Sequence, residues 1–148
     1  MVSHEPYKAI SFYYIAINHA IKQEFTLAKQ ERLKSRKLLE QLFREGTTFF
    51  VHPFKVYYNF IGDATHPIQA GFGVSARTFK KAVERNRVKR LTREVYRLQK
   101  NGLQQTLGAN GKNLAVFFLY TGKELPAYEL IKDKMRLILQ QLDNRMTQ

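Results

Sequence analysis

Hydrolytic chemistry needs convergent carboxylates that hold a metal, or a nucleophile paired with a base. The residues able to supply it here are three Asp (Asp63, Asp133, Asp143), nine Glu and four His (His4, His19, His52, His66). The Asp are widely separated, and no Glu pair has metal-ligand spacing on a core strand. His52 and His66 each precede a proline in a turn-like stretch, with no carboxylate motif beside them. There is no G-x-x-x-x-G-K-S/T phosphate loop, and Gly71-Phe72-Gly73 lacks the third glycine of a nucleotide fingerprint, so it reads as strand glycines. The absence of Cys removes thiolate zinc sites and disulfides, and fits a reducing cytoplasm. This inventory describes a chain with no catalytic or metal-binding residues of its own.

Cations are what the chain has in excess. Between Arg77 and Lys100 stand Arg77, Lys80, Lys81, Arg85, Arg87, Lys89, Arg90, Arg93, Arg97 and Lys100. Only Glu84 and Glu94 oppose these ten, so the stretch carries eight of the formal net charge of +13. Such an imbalance repels itself unless a polyanion neutralises it, and Arg matches phosphate bidentately. The spacing predicts a helix over 80–100. Val88, Leu91, Val95 and Leu98 form its apolar stripe, and Asn86, Arg90, Arg93, Arg97 and Lys100 gather opposite, flanked by Arg85 and Lys89. A pI near 10.1 favours nucleic acid as the partner. A membrane surface is disfavoured because the apolar stripe is needed for the core.

The remaining elements must position that helix. The chain of 148 residues suits one domain, and 44% hydrophobic content is enough for a core. Residues 1–24 read as a weakly ordered N-terminal extension, whose apolar patch at 9–21 is too short to span a bilayer. Residues 25–148 form the working domain. Ser35 is placed to cap a helix with Leu38, Leu39, Leu42 and Phe43 on its stripe, stopped by Gly46. Residues 47–51 and 54–60 read as two strands. In the second, Phe54, Val56, Tyr58 and Phe60 face the core, and Lys55, Tyr57 and Asn59 face away. A third strand is expected near 70–74. The Asn-Gly pairs at 101–102 and 110–111 should end the basic helix, followed by a buried central strand at 114–120. A last helix over 127–144 turns Ile131, Met135, Ile138 and Leu142 inward. The fold class is α+β, a two-layer α/β sandwich in the order α-β-β-β-α-β-α. Tyr57, flanked by Lys55 and Asn59 on the outer face, suits stacking of single-stranded bases; Phe43 could serve the core or the same purpose.

Residues 82–94, A-V-E-R-N-R-V-K-R-L-T-R-E, resemble the Arg-Asn-Arg signature helix of the bacterial ribonuclease P protein component. E-R-L-K-S at 31–35, F-R-E-G at 43–46 and G-F-G-V-S at 71–75 stand in the same order as in that family, and the resemblance covers about residues 25–145. It implies a left-handed β-α-β crossover, an exception to the usual hand. It also implies the protein subunit of an endoribonuclease that removes the 5′ leader of precursor tRNA, with catalytic groups and Mg²⁺ held mainly by the RNA subunit and substrate. The partners implied are that RNA subunit and precursor tRNA, with no membrane and no obligate protein partner, in the cytoplasm. By position, Arg85, Asn86, Arg87, Lys89, Arg90 and Arg93 match the signature, and Arg77, Lys80, Lys81 and Arg97 join them as RNA-subunit contacts. Phe43 and Tyr57 match aromatic positions of the leader cleft, with Lys55 beside them. The chain departs from the family at Leu39, where many members carry Phe, and at S-A-R-T-F-K-K-A-V (75–83), one residue longer than the usual segment. The alternatives are a ribosomal or ribosome-assembly RNA-binding protein of related fold and, less well supported, a duplex-DNA regulator.

Overall fold

A computed structural model of the chain describes residues 27–62 and 66–147. The extension at 1–24 lies outside the described residues. After a 3-10 turn at Lys29–Glu31, the elements are α1 (Arg36–Glu45), β1 (Thr47–Val51), β2 (Phe54–Ile61), β3 (Ile68–Val74), α2 (Ala82–Gln99), α3 (Asn101–Ala109), β4 (Asn113–Tyr120) and α4 (Tyr128–Met146). The sheet order is β1-β2-β4-β3. β1–β2 and β2–β4 are antiparallel, whereas β3 and β4 are parallel neighbours joined by the crossover that carries α2 and α3. The least polar run, 114–120, lies centrally, as its composition predicts.

Strand alternation sorts the side chains onto two faces. Phe54, Val56, Tyr58, Ile68, Leu114, Val116 and Phe118 line the main core with Val88, Val95 and Tyr96 of α2 and Ile131, Met135, Ile138 and Leu142 of α4. Each such fully buried side chain contributes roughly 1.5–3 kcal/mol. The opposite face carries a smaller core, where Leu42 of α1, Leu33 and Ala115 meet Leu38, Leu39, Tyr57, Ile61 and Phe117. Ser35 caps α1 as expected, its hydroxyl accepting from the Leu38 N–H, and Gly46 ends the helix.

Four expectations are corrected. The buried stripe of α2 is Val88, Thr92, Val95 and Tyr96, with Leu91 packed half-buried against the core as expected, while Leu98 is 41% exposed. Its inward face is fixed by Tyr96, whose ring lies 5.5 Å from Phe72 and 5.4 Å from Phe118. Asn101-Gly102 does not end the helical stretch: Lys100 keeps right-handed helical angles, and α3 runs on because Leu103 and Leu107 bury in the core. The break comes at Asn110-Gly111, where Gly111 takes a φ of +64°, open to glycine without strain. Phe60, near the end of β2, is 46% exposed and belongs to no core. Finally, Lys100 is buried and paired with Glu31 rather than displayed with the other cations.

Candidate nucleic-acid interface

The loop entering α2 is pinned before it presents any charge. Phe79 is buried, with its ring 6.1 Å from Tyr120. Arg85 turns back and donates to the carbonyls of Phe79 and Lys80 at 2.7 and 2.8 Å. Arg77, Lys80 and Lys81 are exposed on this anchored loop, and Asn86, Arg87 and Arg90 are exposed along α2. Lys89 and Arg93 are half-buried, and the Arg93 guanidinium lies 5.8 Å over the Phe72 ring. Arg97 is paired with Glu94, whose carboxyl is held below its usual value chiefly by the Arg97 hydrogen bond. Among the described residues, Arg77, Lys80, Lys81, Arg87, Lys89 and Arg90 enter no ion pair. The row therefore keeps most of its field. Beside it, Val83, Arg87, Arg90, Leu91 and Tyr128 line a groove of about 770 Å³ between α2 and the start of α4.

The second surface lies on the other face of the sheet. The Phe43 ring of α1 meets Tyr57 of β2 and Phe117 of β4 edge-on, each at 5.0 Å between centroids. Phe43 is 47% exposed and Tyr57 half-buried, so the cluster is packed below and open above. The Lys55 ammonium stands 5.0 Å over the Tyr57 ring. Gly71 and Gly73 form the floor: a Cβ there would meet the Phe117 ring at 2.7 and 2.6 Å. The Gly-Phe-Gly run is thus a bed for an aromatic ring, in keeping with its reading as strand glycines. His52 and His66 take no part in either surface. Among the described residues no three His, Asp or Glu side chains gather as a metal site.

The sequence model of the Ribonuclease P family matches residues 27–143, most of the chain. The chain belongs to the ribonuclease P protein family. The ribonuclease P protein component of Porphyromonas gingivalis is 36% identical over 114 residues, covering 76% of this chain and 82% of that one. The component of Chlorobium phaeobacteroides is 30% identical over 125 residues, covering 77% and 86%. Among solved structures, the RNase P protein of Thermotoga maritima superposes with a TM-score of 0.58 at 24% identity, covering 75% of this chain and 96% of that one. A mutant RNase P protein of Staphylococcus aureus gives 0.63 at 19%, covering 76% and 87%. At these identities the two structures establish the ribonuclease P protein fold.

The structure brings Phe43, Lys55 and Tyr57 together, it leaves Arg77, Lys80 and Lys81 exposed on the loop, and it sets Asn86, Arg87 and Arg90 along one groove of α2. It sets Arg85 and Arg97 in intramolecular bonds. Sequence reasoning missed Phe117, the third ring of the cluster, because a residue in an unbroken apolar strand shows no sidedness until its neighbours are known. Its signal was the glycine pair two residues apart on a neighbouring strand. Leu39, where many ribonuclease P proteins have Phe, is half-buried in the smaller core.

Proposed function

We propose that this chain is the protein subunit of ribonuclease P, holding the catalytic RNA with α2 and the loop at 75–81. The cleft between α1 and the sheet takes the single-stranded 5′ leader of precursor tRNA. The reading rests on the separation of an unpaired cation row from a half-open aromatic cluster on the far face of the sheet. Phosphates of a folded RNA neutralise Arg77, Lys80, Lys81, Arg87, Lys89 and Arg90, with release of counterions. Asn86 adds a neutral donor and acceptor, and Arg93 and Arg97 border the row. Leader bases stack on Tyr57 and Phe43, and Lys55 meets the backbone.

The contribution of the chain to cleavage is then positioning: it holds the leader so that the scissile phosphate lies at the RNA's reactive groups. Mg²⁺ supplies charge neutralisation and water activation when bound, and it would be held mainly by the RNA subunit and the substrate. The donor set of the described residues does not fit a metal centre. Among the described residues no helix is long and apolar enough to cross a membrane.

The deciding experiment is reconstitution with a bacterial ribonuclease P RNA at low Mg²⁺. Addition of the protein should restore 5′ processing and raise affinity for precursor over mature tRNA. Cleavage by the protein alone, or binding indifferent to the leader, would overturn the reading.

A further inference from the structure

Phe50 has an environment that core packing does not explain. Its neighbour Phe49 turns into the main core against Tyr58, at 6.0 Å between rings. Alternation sends Phe50 to the opposite face, where it is 65% exposed on the outermost strand. That is the face of Tyr57, Phe43 and Phe117. The residue opposite Phe50 in the β1–β2 register is Lys55. The Lys55 ammonium lies 5.5 Å from the Phe50 centroid and 5.0 Å from the Tyr57 centroid, so one cation is shared by two rings.

Tyr57 pairs with Thr48, which makes Phe50 and Tyr57 diagonal neighbours. Such neighbours stand about 7–8 Å apart, a spacing that lets consecutive bases of an extended strand each reach a ring. A cation between one exposed and one half-buried ring fits a phosphodiester that joins two stacked bases. A purely apolar partner would leave that ammonium desolvated and unpaired.

We propose that Phe50 and Lys55 form a further nucleobase subsite, extending the track at Tyr57 to the sheet edge and taking one more base of single-stranded RNA. The proposal rests on the leader-cleft reading. A phenyl ring offers a π face and no hydrogen-bonding group, so this subsite accepts any base.

The test uses the reconstituted holoenzyme and precursor tRNAs with leaders shortened one nucleotide at a time. Phe50→Ala should lower affinity about 5-fold or more for long leaders, the loss expected from removing one stacking platform. The loss should vanish below a threshold length, and that threshold should be shifted by one or two nucleotides from the one shown by Tyr57→Ala. Phe50→Trp should keep or raise affinity. Unchanged affinity at every length for Phe50→Ala, with Tyr57→Ala still length-dependent, would overturn this subsite alone. If neither variant depends on leader length, the cleft reading falls with it. A loss equal for mature tRNA would overturn the subsite, as would an effect confined to self-association in sedimentation, which would mark the edge as a protein contact. An unchanged thermal midpoint for Phe50→Ala should accompany the expected result, because the ring is mostly exposed.

Discussion

The Lys100 ammonium donates to the Glu31 carboxylate across 69 residues of sequence, and both side chains are buried. Gln104 donates to the same oxygen at 2.6 Å, and the Ala28 N–H to the other at 2.6 Å. The cluster fastens the lead-in before α1 to the junction of α2 and α3. Removing one member of a buried pair leaves the other charge uncompensated, at a cost of about 3–5 kcal/mol. Lys100→Met should therefore lower unfolding free energy by about that much in urea titrations, and adding Glu31→Gln should restore part of the loss.

The same carboxylate predicts a pH dependence. Burial alone would raise the Glu31 pKa, but hydrogen bonds from Lys100, Ala28 and Gln104, with the Lys100 charge, outweigh it and hold the pKa below its ordinary 4.5. A depressed folded pKa gives stability that is present above the unfolded value and lost as pH falls through the folded one. Thermal midpoints measured from pH 6 downwards should thus drop below about pH 4.5, and Glu31→Gln should flatten that part of the curve.

Salt dependence separates cations that touch RNA from those that do not. Arg87→Ala and Arg90→Ala should each reduce the slope of log affinity against log salt for the RNA subunit by roughly one charge. Arg136, exposed on α4 and paired with Asp133, serves as the control. Its replacement by Ala should leave the slope unchanged. An unaltered slope for Arg90→Ala would argue against a phosphate contact there.

Tyr57→Ala should weaken binding of leader-bearing tRNA by about 1–3 kcal/mol, and Tyr57→Phe far less, since the ring rather than the hydroxyl supplies the stack. Mature tRNA should bind both variants as it binds the parent. Equal weakening for both RNAs would count against the cleft.

Gly73→Ala places a Cβ 2.6 Å from the Phe117 ring. Overpacking of this kind costs about 1–3 kcal/mol. The ring must move, and Phe43, which leans on it, must move too, so leader affinity and stability should fall together. Phe117→Val in the same chain should return stability but not leader affinity, which calorimetry and binding assays on the double variant can separate.

Most elements are legible in the sequence because one-sided burial leaves a period. Ile131, Met135, Ile138 and Leu142 announce the last helix, and the alternation from Phe54 to Tyr58 announces a strand. The stripe of α2 is ambiguous, because Val88 and Val95 belong equally to a series with Leu91 and Leu98 or one with Thr92 and Tyr96. Only the Phe72 and Phe118 rings choose between them. Lys100 reads as one more cation in a basic run, since nothing local reveals a carboxylate 69 residues away. The Arg145 guanidinium, 4.6 Å over the Phe49 ring and 3.0 Å from the Tyr58 hydroxyl, is equally invisible. At the candidate site, the type of residue is local information and the grouping is not. Arg-Asn-Arg marks a basic face from sequence alone, whereas Phe43, Tyr57 and Phe117 come from three elements and meet only in the fold.

The sheet divides the molecule into two independent tenancies. The α2 cations stand over one side, and the aromatic cluster opens on the other with the sheet between them. No side chain is shared, so energies on the two sides should add. A lineage can retune one surface without repairing the other. A chimera that takes α2 and its loop from one relative and α1 with β1–β2 from another should inherit its two affinities separately, one from each parent.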